Sequence, residues 1–250
     1  ENDYILNDVY RNRIMFPLYD LNGKVIGYNG RVYNGETENK YVNSKETDIF
    51  KKRELLYNYH RAKEYTKKDK CVILMEGYMD VFRASSVGIK NVVAIMGTAL
   101  TIEQTNLLKK LSNNVYLCLD GDSPGQKAML SIGEQLEKQG INVKIVQLMN
   151  DDDPDTYILK YGKERFESLI DSAISFSDFK IQSLRKGVNF SSDLELSRYV
   201  DLVIKEASNT NDEIRREIIL KKLAKEANLS YNTLEKRLNE YLEKRHPKEV

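Results

Sequence analysis

The chain has 250 residues, is 41% hydrophobic and contains no tryptophan. This length and composition predict a folded protein with one sizeable core or two modest ones, and they argue against intrinsic disorder. Lys and Arg (39 residues) nearly balance Asp and Glu (38 residues), so a nucleic-acid site must be a local patch rather than a global excess of positive charge.

The N-terminal segment, residues 1–70, predicts a small mixed α+β subdomain. Short runs at 25–28 (VIGY) and 30–33 (GRVY) have the alternation that is typical of strands. They are broken by Asn22-Gly23 and Asn34-Gly35, and Asn-Gly pairs favour hairpin turns.

Residues 71–162 predict an α/β subdomain. Helical patterns alternate with four short apolar runs of the kind found in parallel strands that are buried on both faces. These runs are Cys71–Met75, Val92–Met96, Val115–Leu119 and Val143–Leu148. The resulting order, βαβαβαβ, predicts a doubly wound, Rossmann-like sheet with right-handed crossovers.

The helices of this subdomain carry local start and stop signals. One helix is expected over 78–86. Thr101 and Gln104 have the spacing of a capping box at the start of the next. Ser123-Pro124 predicts an N-cap followed by proline at the first helical position, and Gly140 ends that third helix.

The last segment, residues 163–250, predicts a helical bundle because apolar residues recur at helical spacing almost throughout. The rhythm of Leu223 to Leu242 is also compatible with a DNA-reading helix-turn-helix, although support for the core domain is the interpretation we favour. The chain begins with Glu1 and ends near His246-Pro247, which suggests a piece of a longer polypeptide.

Cysteine use and hydropathy predict a cytoplasmic protein. Cys71 and Cys118 each lie in an apolar run, which predicts buried thiols and argues against a disulfide frame or a zinc site. No apolar run approaches the roughly 20 residues that span a bilayer, so no membrane partner is expected.

Acidic residues follow three of the four predicted strands. The segments are Glu76–Asp80 after the first strand, Asp120–Asp122 after the third and Asp151–Asp155 after the fourth. Carboxyl ends of parallel strands meet at one edge of a sheet, so we expect these carboxylates to gather there. Oxygen donors without His or Cys favour Mg²⁺ or Mn²⁺, and two such ions can clamp a phosphate. The alternative is that each acid only caps a helix.

The pattern Glu-Gly-x-x-Asp, followed about 40 residues later by Asp-x-Asp, resembles the toprim domain of primases, topoisomerases and some nucleases. That resemblance implies that Glu76 is the catalytic acid/base residue. It also implies catalysis and metal binding by Asp120 and Asp122, and metal binding by Glu76 and Asp80.

The flanking sequence is similar, over about residues 9–170, to the RNA polymerase domain of bacterial DnaG-type primases. The similarity rests on the Glu76–Asp80 and Asp120–Asp122 strings and on strings at 15–18, 23–27, 30–32, 40–44, 46–52 and 153–155. It adds Asp153 and Asp155 to the implied metal ligands. It also implies a nucleotide- or template-binding set, which is Arg13, Arg31, Lys40, Asn43 and Lys52. Tyr28, Tyr33 and Tyr41 lie among these charges and either stack on bases or pack in the hairpins.

The resemblance implies a primase catalytic core that synthesises short RNA primers from NTPs on single-stranded DNA during chromosome replication. The product would be an RNA–DNA hybrid, two or more Mg²⁺ or Mn²⁺ ions would assist, and no zinc is expected in this segment. It further implies a missing zinc-binding domain, a missing C-terminal domain that contacts the replicative helicase, inhibition by guanosine tetraphosphate, and a location at the replisome or nucleoid.

Two other functions stay open at this point. One is a toprim nuclease or topoisomerase-type enzyme that cleaves strands with the same metals. The other is a toprim module that binds nucleic acid without catalysis.

Overall fold

The computed structural model describes residues 8–33, 39–97 and 99–245. The predicted hairpin turn at Asn34-Gly35 lies outside these residues. Backbone contacts divide the chain into two compact units, residues 1–173 and 174–250. The division at residues 70 and 162 stays a prediction, whereas the boundary found here lies after Ala173. The fold class is confirmed, with a parallel sheet among helices, a small antiparallel sheet and a helical C-terminal part.

The first unit opens with an antiparallel sheet of three strands. They are β1 (Arg13–Tyr19), β2 (Val25–Val32) and β3 (Tyr41–Asn43), in the order β1-β2-β3. The predicted Asn22-Gly23 turn joins β1 to β2, and Gly23 has φ of +86°, a left-handed conformation that favours glycine. A short 3₁₀ helix (Lys52–Glu54) follows this sheet.

The second sheet of this unit has four parallel strands in the order β5-β4-β6-β7. They are β4 (Val72–Met75), β5 (Val92–Ala94), β6 (Asn114–Leu117) and β7 (Asn142–Ile145), each at a predicted position. The helices around it are α1 (Tyr59–Asp69), α2 (Tyr78–Ser86), α3 (Ile102–Leu111), α4 (Ser123–Lys138) and α5 (Pro154–Asp171). β4 is fully buried, as expected for a strand that is covered on both faces.

Capping residues decide where these helices begin. The predicted capping box is confirmed, since Thr101 Oγ1 accepts from the Gln104 N–H at 3.1 Å and Gln104 Oε1 accepts from the Thr101 N–H at 3.0 Å. Ser123 was wrongly predicted as the N-cap of α4. Asp122 occupies that position and accepts from the Gly125 N–H at 2.8 Å. A carboxylate satisfies the free donor and also interacts favourably with the helix dipole.

Both cysteines are free thiols among the described residues, but only one is fully buried. Cys118 lies in the core between the sheet and α2 and α5, together with Ile73, Met75 and Val146. Cys71 is half-buried, so the prediction of a buried thiol was wrong there. It directly precedes β4, at the amino end of that strand.

The second unit is helical after a two-residue strand, β8 (Ile174–Ser175). Its helices are α6 (Phe176–Arg185), α7 (Asp193–Ala207), α8 (Glu213–Ala227) and α9 (Tyr231–Arg245). Apolar residues of α7, α8 and α9 form its core, so the predicted bundle is present. Support for the core domain stays a prediction, and DNA reading by α8 and α9 stays the alternative to it. In the described part of the chain, none of the helices combines the length and apolarity needed to cross a membrane.

Candidate active site

Glu76 and Asp80 lie where β4 passes into α2. Asp80 is nearly buried in the first turn of α2, and both of its carboxylate oxygens accept backbone hydrogen bonds. Oδ2 accepts from the Gly77 N–H at 3.0 Å, and Oδ1 accepts from the Asp155 N–H at 3.3 Å. Asp80 therefore joins the start of α2 to the start of α5.

Asp120 and Asp122 lie beyond the end of β6, and two close backbone approaches hold their turn. The Gly121 N–H donates to the Asp152 carbonyl at 3.0 Å, which joins this turn to the loop after β7. A Cβ at Gly125 would lie 2.1 Å from the Asp120 carbonyl oxygen, so only glycine fits there. The two acidic loops are thus packed directly against each other.

The third acidic segment surrounds the start of α5. Asp153 is the N-cap of α5, with Oδ1 accepting from the Thr156 N–H at 2.6 Å. Asp155 Oδ1 lies 2.6 Å from Arg83 Nε on α2. Asp152 is buried and pairs with Lys160, while its Oδ2 has no hydrogen-bond partner in the described residues.

The capping interpretation of these acids is correct for Asp80, Asp122 and Asp153, but capping is not their only property. The caps on α4 and α5 occupy Oδ1 of Asp122 and of Asp153, which is one of the two carboxylate oxygens in each. Capping also fixes the direction of each carboxylate. Asp122 and Asp153 are therefore held in a fixed orientation, and Oδ2 of each is not used by the cap.

The acids at the end of β4 and β6 influence one another electrostatically. The pKa of Glu76 is raised to about 7, chiefly by burial and also by the charges of Asp120 and Asp122, while a hydrogen bond from the Asp120 backbone lowers it. Burial, together with nearby carboxylates, raises the pKa of Asp80 to about 7 and that of Asp120 to about 6. We refer to Glu76, Asp80, Asp120, Asp122 and Asp153 as the acidic edge.

The donor set of the acidic edge fits a hard divalent cation. Among the described residues, no three His, Cys, Asp or Glu side chains converge into a ready-made metal cage. Mg²⁺ usually binds through one or two carboxylates together with waters and substrate phosphates, so an open carboxylate edge suits it better than a closed cage. Besides burial, the charges of Asp120 and Asp122 raise the pKa of Glu76, and the charges of Asp153 and Asp122 raise the pKa of Asp120. Negative charge is therefore concentrated here, and a cation would relieve it.

Arg31 and Tyr41 lie opposite each other on β2 and β3, and the Arg31 guanidinium lies 5.6 Å from the centroid of the Tyr41 ring. Burial raises the pKa of Tyr41, the charge of Arg31 opposes this, and the charges of Asp80, Asp155 and Asp153 add to it. The Tyr41 ring centroid also lies 6.0 Å from that of Tyr78, which is two residues before Asp80. Tyr41 and its partner Arg31 therefore lie near the acidic edge.

The other predicted basic contacts are placed differently. The Arg13 guanidinium donates hydrogen bonds to backbone carbonyls. Nη1 lies 3.0 Å from the Gly30 oxygen, and Nη2 lies 2.9 Å from the Asn39 oxygen. Lys40 is exposed just before β3, and Lys52 is half-buried in the 3₁₀ helix. Neither lysine forms an ion pair with any residue that the structure describes. Their assignment to nucleotide or template binding stays a prediction.

Asn43 faces inward. Its Oδ1 accepts from Asn29 Nδ2 at 2.7 Å and from Tyr78 Oη at 3.0 Å. The roles of Asn29, Tyr78 and Arg83 were not predicted from the sequence. Their partners lie 14, 35 and 72 residues away along the chain, and no local pattern indicates such contacts.

Three protein families match successive parts of the chain. "DNA primase catalytic core, N-terminal domain" matches residues 1–63, "Toprim-like" matches 73–158, and "DnaB-helicase binding domain of primase" matches 177–230. The last match lies inside the chain, whereas helicase contact was predicted for a missing domain.

Individual proteins agree with these families. A DNA primase of Staphylococcus aureus (strain COL) is 43% identical over 201 residues, which is 80% of this chain and 33% of the relative. The chain thus spans about a third of the length of the curated relatives that it matches.

Two solved structures are also similar. One is the DnaG catalytic core, with 35% identity, a TM-score of 0.71, and coverage of 90% of this chain and 74% of that one. The other is a DnaG primase catalytic domain bound to single-stranded DNA, with 33% identity, a TM-score of 0.72, and coverage of 90% and 72%. The chain belongs to the DnaG-type DNA primase family, and it corresponds to a large part of the catalytic core of that family.

Proposed function

We propose that this chain catalyses DNA-templated synthesis of short RNA primers by nucleotidyl transfer. The observation that carries the proposal is the acidic edge, whose coupled carboxylates lie near the Arg31–Tyr41 pair. Such an arrangement offers one wall for cations and another for phosphates. Family membership supports a reaction on nucleic acid rather than on a small phosphorylated metabolite.

In the proposed reaction, the 3′-oxygen of the growing RNA attacks the α-phosphorus of an NTP, and the bond to pyrophosphate breaks. Glu76 accepts the proton of the attacking hydroxyl, a role that suits a group whose pKa is raised to about 7. Bound Mg²⁺ or Mn²⁺ would neutralise phosphate charge and lower the pKa of that hydroxyl.

The remaining acids are assigned by position. Asp80, Asp120, Asp122 and Asp153 would hold the cations through the carboxylate oxygens at the acidic edge. Asp155 was predicted as a further ligand, and its pairing with Arg83 supports a role in holding α5 in place.

The basic residues bind the substrate phosphates in this proposal. Arg31 can hold a phosphate with two parallel hydrogen bonds, whereas Lys40 and Lys52 act as point charges. Arg13 supports the sheet through its backbone contacts. Positioning and charge neutralisation then supply most of the rate.

The comparisons support two of the proposed partners. Single-stranded DNA is the proposed template because a similar catalytic domain is described as bound to it. The replicative helicase is a proposed partner of residues 177–230 because the matching family is a helicase-binding domain. We also propose action at the replisome in the cytoplasm and competition between guanosine tetraphosphate and GTP. Binding of the two nucleotides without mutual competition would contradict the last point.

The test is ribonucleotide incorporation on single-stranded DNA with Mg²⁺ or Mn²⁺. We expect Glu76→Gln and Asp120→Asn to abolish synthesis, while Asp69→Asn, at the far end of α1, retains it. Glu76-dependent nicking of DNA without RNA synthesis would indicate a strand-cleaving toprim enzyme. DNA binding without either reaction would indicate a non-catalytic module.

A further inference from the structure

Side-chain hydrogen bonds connect the antiparallel sheet to the helix that carries Asp80. Asn29 on β2 donates from Nδ2 to Asn43 Oδ1 on β3 at 2.7 Å. Tyr78 Oη at the start of α2 donates to the same oxygen at 3.0 Å. Asn43 thus receives one bond from its own sheet and one from α2.

Strand register relates this contact to the substrate-facing residues. Asn29 pairs with Asn43, and Arg31 pairs with Tyr41. Successive residues of a strand point to opposite faces, so these four side chains share one face of the sheet, two residues apart on each strand. Any shift of the Asn29–Asn43 pair relative to α2 therefore also shifts Arg31 and Tyr41.

Tyr78 lies between two members of the acidic edge along the chain. It is the first residue of α2, two residues after Glu76 and two before Asp80. Its ring is buried and lies against Phe16 and Tyr41, each at 6.0 Å between centroids, and edge-on to Tyr57 at 4.9 Å. Ring packing supplies contact area, but only the hydroxyl gives a directional link to the sheet.

Asn29 is an unfavourable residue for stability alone. It is fully buried, and its Oδ1 has no hydrogen-bond partner in the part of the chain that the structure describes. A buried acceptor without a partner is unfavourable, and two apolar side chains of similar shape would avoid that loss. What the amide contributes is the orientation of Asn43.

We propose that Tyr78 and Asn29, acting through Asn43, are positioning residues that hold Arg31 and Tyr41 in register with the acidic edge. This inference rests on the proposed function and assigns none of these three side chains a contact with substrate. Asn43 was predicted to bind nucleotide or template, and here its acceptor oxygen is used inside the protein.

The test compares Tyr78→Phe, which removes only the hydroxyl, with Tyr57→Phe, which removes a hydroxyl from the neighbouring ring. Three quantities are measured for each variant: kcat for ribonucleotide incorporation, KM for NTP, and Mn²⁺ affinity. Misplacement of reacting groups by about 1 Å can lower a rate on the order of 100-fold. We expect Tyr78→Phe to lower kcat about 10- to 100-fold, with KM and Mn²⁺ affinity within about twofold of wild type. Tyr57→Phe should retain wild-type kcat.

A double-mutant cycle tests the bond itself. Asn43→Leu removes the shared acceptor at a half-buried position, and Tyr78→Phe should add little further loss of kcat in its presence. A wild-type kcat for Tyr78→Phe, or independent losses from the two changes, would overturn the inference. A lower thermal midpoint with unchanged kcat would assign the contact to stability alone and would also overturn it.

Failure of the proposed function would give a different result. In that case neither the wild-type chain nor the Tyr57→Phe and Tyr78→Phe variants would incorporate ribonucleotides. The cycle is then measured on the free energy of unfolding. Additive losses there would show that the hydroxyl and the amide are not coupled, which rejects the positioning link on its own.

Discussion

Arg83 Nε lies 2.6 Å from Asp155 Oδ1, so α2 is tied to the first turn of α5 across 72 residues of sequence. Asp80 makes a parallel connection between the same two helices through the Asp155 N–H. The start of α5, which carries Asp153, is therefore held against the start of α2 by two contacts.

The first prediction concerns this ion pair. Arg83→Gln should lower the free energy of unfolding by about 1 kcal/mol, because a partly buried, charge-assisted hydrogen bond is lost. Arg53→Gln is the control, since Arg53 pairs with Glu103 at 3.1 Å in a more exposed setting. It should change stability by less than about 0.5 kcal/mol. Equal effects in urea denaturation would contradict the role of Arg83.

The second prediction concerns pH. Glu76 and Asp80 have pKa values of about 7 in the folded chain, above the ordinary values for these carboxyls. The folded state therefore binds protons more tightly than the unfolded state, so these groups favour folding at low pH. Without metal, that contribution should be lost as pH rises from about 4 to about 7.

Calorimetry of the metal-free chain against its Asp80→Asn variant measures this effect. The variant should lose less stability than wild type over that pH range. Mn²⁺ should raise the thermal midpoint of wild type at pH 8 and much less at pH 5, because protons compete with the cation. Identical pH profiles for the two proteins would rule out the assigned proton linkage.

The third prediction concerns Gly125. An added Cβ would lie 2.1 Å from the Asp120 carbonyl oxygen and 2.8 Å from its carbon, so α4 or the Asp120 backbone must move. Gly125→Ala should reduce stability by about 2–3 kcal/mol and weaken Mn²⁺ binding. Gly97→Ala is the control because a Cβ there meets no atom of the described residues within 4 Å. Full metal affinity in a folded Gly125→Ala variant would show that the turn tolerates the shift.

The fourth prediction concerns Arg31. Arg31→Lys keeps the charge but removes the planar group that lies over Tyr41 and can bind a phosphate with two bonds. We expect kcat/KM for NTP to fall about 10-fold, which corresponds to about 1.4 kcal/mol. Arg53→Lys should have no effect on this ratio. Wild-type kinetics for Arg31→Lys would show that Arg31 contributes only its charge, which contradicts phosphate binding through two hydrogen bonds.

The sequence alone determined the features that depend on local pattern. Alternation of apolar runs and helical periods predicted the four parallel strands, and the rule that their carboxyl ends meet at one edge brought the acidic segments together. The Thr101–Gln104 capping box was also predictable, because its two residues are only three positions apart and each side chain accepts a hydrogen bond from the other's backbone N–H.

Only the tertiary structure decided which oxygens those acids use and which side chains hold them. The Arg83–Asp155 pair, the Tyr78–Asn43 bond and the Asp152 contact with Gly121 join segments that no period relates. Local propensity is set within a few residues, whereas these contacts exist only once separate helices and sheets have packed.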